Sequence, residues 1–487
     1  MKSLVVVENP KTWPLELGAV EVVAARSYLI EPRFAAMKRV SVYNLCRRLG
    51  YQSVGYYVSL LAAARGHRPM PSVATSQSLG HLSLLRAATE SLDGEIQRVL
   101  SNLRSDDFIL SVYFGSSVAK RHRRLARSLF NHFPAPILIG RFQRSGDAWR
   151  LVSVRLGAAS EIPDGHRDFV VESARTYFLR RRTAPRRTTY RYDLAVLWSP
   201  DDPQAPSDER AIRRFIRAAA KQGIQAEVIG AEEYGRIGEY DALFIRETTA
   251  VDHRTYRLAA RAAAEGLVVI DEPEAIIRST NKAYQAELFT RHQIPAPRTY
   301  LMYEGNVEGV VERVGLPCVL KKPDGAFSLG VVKVDTLPEA KERLRELLVE
   351  SELVVAQEFV RSDFDWRVGV LDRRLLFVCR YHMVRGHWQI VSRKGTTDRY
   401  GRVEAVSVED APPAVLETAV RAASLFGDGL FGVDLKVVDG RVMVMEVNDN
   451  PNIDAGFEDA ILKDELYDAL ARWFRVRLDG RGEGPAA

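Results

Sequence analysis

"GVDLKVVDGRVMVMEVNDNPNID", residues 432–454, is the stretch on which the reading of this chain turns. It starts as an apolar strand, passes through Asp439-Gly440, returns as a second apolar strand and ends in acids and amides. Asp-Gly between two such runs is a hairpin signal. Side chains alternate along a strand, so Phe431, Val433, Leu435 and Val437 share one face, and Gly432, Asp434 and Lys436 the other. On the return strand Met443, Met445 and Val447 lie opposite Val442, Val444, Glu446 and Asn448. A strict two-residue loop pairs Val438 with Arg441 and sets Asp434 against Met445, mixing acid with core. A bulge or a three-residue loop shifts the register by one, gathers the core residues on one face and puts Asp434 across from Glu446, with Asn448 beside them. We prefer the second register. Facing carboxylates repel unless a cation lies between them, and oxygen donors without His or Cys select a hard ion such as Mg2+. Pairing of Asp434 with Lys436 or an arginine, with Glu446 at a solvent edge, is the competing reading.

Working outward, "PCVLKKPDGAFSLGV" (317–331) reads as a strand over Cys318–Lys321 running into a glycine-containing turn. A lysine closing such a strand can offset phosphate charge while the loop's N–H groups cradle the oxygens. "STNKAYQAELF" (279–289) reads as a helix capped by Ser279 or Thr280. Lys282 then sits in the first turn, where the helix dipole disfavours a cation unless an anion binds there. In "AQEFVRSDFDWRVGV" (356–370), Gln357–Val360 reads as an edge segment whose backbone can pair with an adenine, and Asp365 and Arg367 share a face of the next strand. "LFIRETT" (243–249) ends a parallel strand, where open α/β sheets bind ligands. Arg246 there suits either a substrate carboxylate or an interdomain salt bridge.

At 487 residues the chain exceeds one hydrophobic core, so two to four domains are expected. A hydrophobic content of 46% argues against disorder, and no apolar run approaches the ~18 residues of a membrane helix. The apolar stretch after Met1 is too short for a signal peptide and reads as a first strand. Three scattered cysteines fit a reducing cytoplasm and no zinc site. The basic runs "KRHRRLAR" (120–127) and "RRRTAPRRTTYR" (180–191) read as a solvated helix face and a linker rather than a nucleic-acid surface. Residues 1–150 read as an α/β unit, with strands in "SLVVVEN", "RVSVYNL" and "DFILSVYFG" and a helix from Ser53 to a stop at Gly66. From "YDLAVLW" (192–198) strands alternate with helices, which predicts a small parallel sheet. From Ser279 onward antiparallel hairpins mix with helices, an α+β pattern. No internal repeat is found.

In this order, "NKAYQAEL", "VLKKPDGAFSLGV", "AQEFV…DFDWRVGV" and "GVDLK…VMEVNDNP" resemble the ATP-grasp superfamily, specifically RimK-like carboxylate–amine ligases. The resemblance covers about residues 190–475, and residues 1–150 look like the extra N-terminal domain fused to some RimK-like proteins. It implies a multidomain α/β and α+β protein: an N-terminal extra domain over 1–183, a pre-ATP-grasp sheet domain over 190–278, a two-lobed ATP-grasp domain over 279–475 and a flexible tail over 476–487. It implies that Lys282 and Lys321 contact ATP phosphates, with Gly325 and Ser328 in the phosphate loop. Glu358 and Phe359 would form the adenine hinge, and Asp365 would lie on the ribose side. Asp434, Glu446 and Asn448 match the ligands of Mg2+, with Mn2+ as an alternative and two ions expected. Arg367 and Arg393 are the candidates for stabilising the reacting centre, and Arg246 and Asn450 for holding substrate. Two departures stand out: Ala326, Phe327 and Ser328 make the phosphate loop poorer in glycine than usual, and "RGHWQIVSRKG" (385–395) offers only Arg393 for a second basic motif. The implied activity is amide formation through an acyl phosphate on an amino acid, a peptide or a protein terminus, in the cytoplasm. Neither membrane nor nucleic acid is expected as partner, and a homo-oligomer is left open. A non-catalytic ATP-binding protein and an ATP-grasp kinase are the alternatives.

Overall fold

The computed structural model describes residues 2–13, 15, 20–79, 92–103, 105–146, 148–180, 190–324, 330–394 and 397–480. Two compact units are present: Met1–Thr189 with Gly230–Glu239, and Tyr190–Ile229 with Tyr240–Ala487.

The first unit holds a parallel sheet of β1 (Lys2–Val7), β2 (Glu21–Ala24), β3 (Val40–Asn44) and β4 (Arg68–Met70) in the order β2-β1-β3-β4. The strand expected next, β5 (Asp107–Tyr113), does not extend this sheet. It pairs antiparallel with β6 (Ile137–Ser145), which pairs with β7 (Ala148–Leu156). One core nonetheless serves both sheets: Val5, Val7, Tyr43 and Met70 pack with Leu110, Val112, Phe142 and Phe178.

The second unit opens with a parallel sheet of β8 (Tyr192–Leu197), β9 (Ile224–Ile229), β10 (Ala242–Ile245) and β11 (Val268–Ile270), in the order β9-β8-β10-β11. This is the order of the first sheet, and the likeness reaches individual residues. The helices Val54–Ala64 and Arg254–Ala264 lie 200 residues apart and are followed by β4 and β11 at the same spacing. Gly66 and Gly266 both take positive φ, 67° and 79°, which a residue with a Cβ adopts only at a cost. Their N–H groups bond Ala63 O and Ala263 O, and the next N–H groups bond Ala62 O and Ala262 O. Leu45 N–H donates to Val6 O as Arg246 N–H donates to Leu197 O. The chain therefore contains an internal structural repeat, against the expectation of none. Across the helix and its turn the copies share a tyrosine (Tyr56, Tyr256), three alanines and a glycine, too little for periodicity to register.

Two antiparallel sheets complete the second unit. The smaller contains β12 (Thr299–Met302), β13 (Cys318–Lys321), β14 (Val331–Val334) and β15 (Val354–Glu358), ordered β12-β15-β13-β14. The larger contains β16 (Phe364–Leu371), β17 (Arg374–His382), β20 (Val403–Val406), β21 (Leu430–Val438) and β22 (Arg441–Asp449), ordered β20-β17-β16-β21-β22; β18 (Val391–Lys394) and β19 (Thr397–Tyr400) form a separate hairpin. β15 is interior to its sheet, pairing with β12 as far as Gln357 and with β13 as far as Glu358; of the segment expected at an edge, Phe359 and Val360 lie beyond the strand. The final helix, Asp464–Gly480, runs five residues beyond the expected tail boundary at 475. Its apolar face explains this: Phe474 packs on Phe215 and Phe244 of the parallel-sheet region, and Leu478 is buried. Residues 481–487 lie outside the described residues.

Candidate functional site

The β21–β22 hairpin turns through the two-residue loop Asp439-Gly440, with Val438 paired to Arg441. Asp434 still faces Glu446, because the ladder slips by one between Asp434 and Leu435, where Leu435 pairs with Val444 and Met445 is the extra residue. The bulge also changes the phase of the return strand. Val444 and Val447 are both fully buried in one core with Val433 and Leu435, whereas Glu446 and Asn448 face away with Asp434. The face assignment read from strict alternation, which grouped Val442 and Val444 with Glu446, is corrected by that single inserted residue.

Cations answer these acids. Arg367, on the neighbouring β16, is bidentate to Asp434 at 2.6 and 2.7 Å and lies over the Tyr381 ring at 4.7 Å. Burial works against its charge, but Asp434 outweighs it and holds the guanidinium protonated above its ordinary value. Burial in turn pushes Asp434 up, Arg367 pulls it down, and Asp365 and Glu446 push it up further. The Tyr381 hydroxyl donates to Glu458, which also accepts the Asp454 N–H at 2.7 Å. Lys436 shares a strand face with Asp434, but it is Arg367 that pairs with Asp434, and Lys436 is held elsewhere. It is 6% exposed and bonds Asp365 at 2.8 Å and Ser362 Oγ at 2.6 Å.

Lys282 begins the helix Lys282–Arg291, and its cap is Asn281, whose Oδ1 accepts from Tyr284 N–H at 2.9 Å. Ser279 and Thr280, the expected caps, instead end the preceding helix, Pro273–Thr280, so the chain turns once more than the sequence suggests. Lys282 Nζ lies 3.2 Å from Glu446 Oε1. Lys321, at the end of β13, donates to Gln357 Oε1 at 2.7 Å. Burial, with Lys282 and Lys436 nearby, brings its amine down to about 8, and Glu446 counters only partly. Lys282, Lys321, Gln357, Tyr300, Val355 and Met445 line a cavity of about 450 Å3 between the two antiparallel sheets, a volume suited to a nucleoside. At its rim Glu358 pairs with Arg298 at 3.0 Å, and Phe359 packs edge-on to Trp388 with Lys333 5.1 Å above it.

The hairpin donors suit a hard divalent ion. Asn448 Nδ2 stands 3.1 Å from Asp434 Oδ2, and turning the amide over would present an oxygen beside the carboxylate instead. Both carboxylates already hold cationic partners, Arg367 on Asp434 and Lys282 on Glu446. Among the described residues no three His, Cys, Asp or Glu side chains cluster as a metal site; the third polar side chain on this face is the Asn448 amide.

The remaining candidates fall elsewhere. Arg246 is fully buried and donates to Ser207 Oγ (3.0 Å), Asn450 Oδ1 (2.7 Å), Pro451 O (2.8 Å) and Pro206 O. Burial brings it down to about 10. Asn450 passes its other side to Glu247 O at 2.6 Å. Both residues therefore fasten the loop after β22 to the parallel sheet and present nothing to a substrate in this structure, which corrects the substrate-anchor expectation. Gly325 and Ser328 lie outside the described residues. Arg393 is on β18, paired with Asp398, and its side chain lies outside the described residues.

Residues 25–173 match the family model of the RimK-like ATPgrasp N-terminal domain, and residues 279–465 that of the RimK-like ATP-grasp domain. A probable alpha-L-glutamate ligase of Rhodopirellula baltica is 25% identical over 286 residues, covering 55% of this chain and 68% of its own. One from Vibrio vulnificus is 27% identical over 254 residues, covering 50% and 81%. The solved D-alanine–D-alanine ligase of Bacillus anthracis aligns over 60% of this chain and 99% of its own, with a TM-score of 0.48 and 13% identity.

Proposed function

This chain belongs to the RimK-like ATP-grasp family, and from that premise we propose that its cavity binds ATP for an acid–amine ligation that adds glutamate, or a similar amino acid, to a peptide or protein terminus. At the level of reaction class it is an ATP-dependent carboxylate–amine ligase. The observation that carries the reading is Lys282, which lines the nucleotide-sized cavity and also touches Glu446, joining phosphate site to ion ligands.

In such a reaction a substrate carboxylate oxygen attacks the γ-phosphorus and ADP leaves. The amine then attacks the acyl carbon, inorganic phosphate leaves, and the amine loses its proton. Mg2+ on Asp434, Glu446 and Asn448 supplies the positive charge that offsets the phosphates when bound, with two ions expected and Mn2+ as a substitute. Lys321 and Lys282 place further positive charge beside the transferred group. Tyr300, Val355 and Met445 give the base an apolar slot that excludes water. Arg367, held by Asp434 and Tyr381, is the donor we assign to developing negative charge.

ADP release measured against a panel of amino acids and peptides tests this reading, with products weighed by mass spectrometry. Release that needs both an acid and an amine, with a product heavier by one amino acid residue, is expected; release with a hydroxyl substrate alone makes the protein a kinase. Among the described residues no helix is long and apolar enough to cross a membrane.

Lys321 also gives a pH signature. An amine titrating near 8 carries its charge below that pH and loses it above. Affinity for an ATP analogue should therefore hold below about pH 8 and weaken by up to about tenfold per pH unit above it. Equilibrium titration with a fluorescent analogue reads this directly. In Lys321→Met the affinity should be lower and the step at 8 absent.

A further inference from the structure

The structural repeat places two equivalent crevices in the chain, and only one has an occupant already described. In both parallel sheets the connection reverses direction between the first and third strands, and ligands of open α/β sheets bind at the carboxyl ends of strands at such a point. In the second unit this crevice, beyond β8 and β10, holds the chain's own segment Asn450–Asp454. Arg246 grips Asn450 and Pro451, Ser207 Oγ donates to Ile453 O at 2.9 Å, and Asp454 Oδ1 accepts the Asp208 N–H at 2.7 Å.

The first unit preserves the framework of that crevice and changes its chemistry. Arg47 N–H donates to Glu8 Oε1 at 2.9 Å, as Thr248 N–H donates to Asp202 Oδ2 at 3.0 Å, so a loop acid after the first strand caps the same amide in both copies. Where the second copy has the buried pair Arg246-Glu247, the first has buried Leu45-Cys46. Arg47 and Arg48 follow on the exposed rim, and neither guanidinium forms a salt bridge among the described residues, the Glu8 carboxylate meeting Arg47 through its backbone N–H. Tyr51, Val54, Tyr57 and Leu60 recur every third residue from this rim along the helix Val54–Ala64, and are 71%, 37%, 40% and 39% exposed. Tyr56 stacks edge-on between Tyr51 and Tyr57 at 5.4 Å from each, which holds the tyrosines in place.

Charge selects the occupant. Residues 1–189 carry 29 Lys and Arg against 14 Asp and Glu, whereas residues 190–487 carry 40 against 49. We propose that the carboxyl edge of the first parallel sheet, at Arg47, Arg48, Tyr51 and Tyr57, is a binding site for an acidic peptide. Two adjacent guanidiniums suit neighbouring carboxylates, and the tyrosine and aliphatic stripe suits peptide side chains. A nucleic acid would call for basic residues at phosphate spacing along the same stripe, which instead carries Val54 and Leu60.

The site deepens the ligase reading, since an acidic peptide is a substrate or product of glutamate addition, but it is tested without catalysis. Fluorescence anisotropy of a labelled oligoglutamate peptide on the full chain, without nucleotide, should show binding that weakens with salt. Arg47→Ala with Arg48→Ala should weaken it by at least about tenfold, and Tyr57→Ala by about threefold. The double lysine variant keeps both charges at these exposed positions and should stay within about threefold of wild type, and a thermal unfolding curve of the double alanine variant that matches wild type excludes unfolding as the cause. Glu446→Ala should bind as wild type, so a failed ligase assay leaves this result standing. Unchanged binding in the double alanine variant overturns the proposal, as does an oligonucleotide that binds more tightly than the peptide and depends on the same two arginines.

Discussion

Replacing Glu446 by alanine is expected to lower ADP release by about 10^3-fold at saturating substrates while leaving the protein folded. Glu446 is the hairpin carboxylate beside Lys282, so its removal takes away a hard oxygen donor that Asp434 and Asn448 cannot replace. Lys282 loses its partner at 3.2 Å at the same time, and the site gains a net positive charge where a divalent ion should enter. The effect should fall on turnover more than on nucleotide affinity, because Tyr300, Val355 and Met445 still line the cavity. Affinity for an ATP analogue should change by less than about tenfold, a contrast that separates loss of ion binding from collapse of the pocket. Glu446→Gln keeps the shape but not the charge and should behave like the alanine variant. Full activity in either would remove the ion assignment.

Arg246→Ala is expected to destabilise the second unit by about 3–5 kcal/mol, because truncating one partner of a buried polar network strands the rest. Ser207, Pro206, Asn450 and Pro451 all accept from this guanidinium, and the side chain is fully buried. Asp271, also buried and held up by its surroundings, loses a neighbouring positive charge that favours its ionised form. Arg246→Lys should recover little, since an ammonium cannot reproduce a fork that reaches four acceptors in different directions. Thermal unfolding followed by intrinsic fluorescence measures the loss. Activity should fall as well, because the segment that Arg246 fastens begins two residues after Asn448. A melting temperature within a degree or two of wild type would show that the loop is held by other means.

These two residues mark what the sequence made legible and what it did not. The pairing of Asp434 with Glu446 could be read because it was the only register that kept acids apart from core, and the structure has that register. Lys321 was readable as a lysine at a strand end before a glycine turn, and it borders the cavity. Arg246 gave the same kind of signal, a charged residue at the end of a parallel strand, and proved to be internal. Sequence shows that such a residue lies at the carboxyl edge of a sheet, but not whether a later part of the chain returns to cover it. Here Asn450 and Pro451 do so from about 200 positions away. The phase change at Met445 was equally hidden, since a bulge leaves composition untouched. The structural repeat escaped notice because strand order and hydrogen bonding preserve it, with few shared side chains.

The Met445 bulge has a consequence for how this strand tolerates change in length. Val444 and Glu446 are two residues apart, yet one is walled into the interior and the other faces the lysines. Removing Met445 would restore an unbroken ladder and leave Val444 opposite Leu435 and Glu446 opposite Asp434, each on its present face. Losing the bulge at full length would be different: an unbroken ladder that kept Met445 would set it against Asp434 and set Glu446 against Val433, in the hydrophobic layer. The chain could thus retain Asp434, Glu446 and Asn448 and still not gather them on one face. The bulge, as much as the acids, decides what this strand presents.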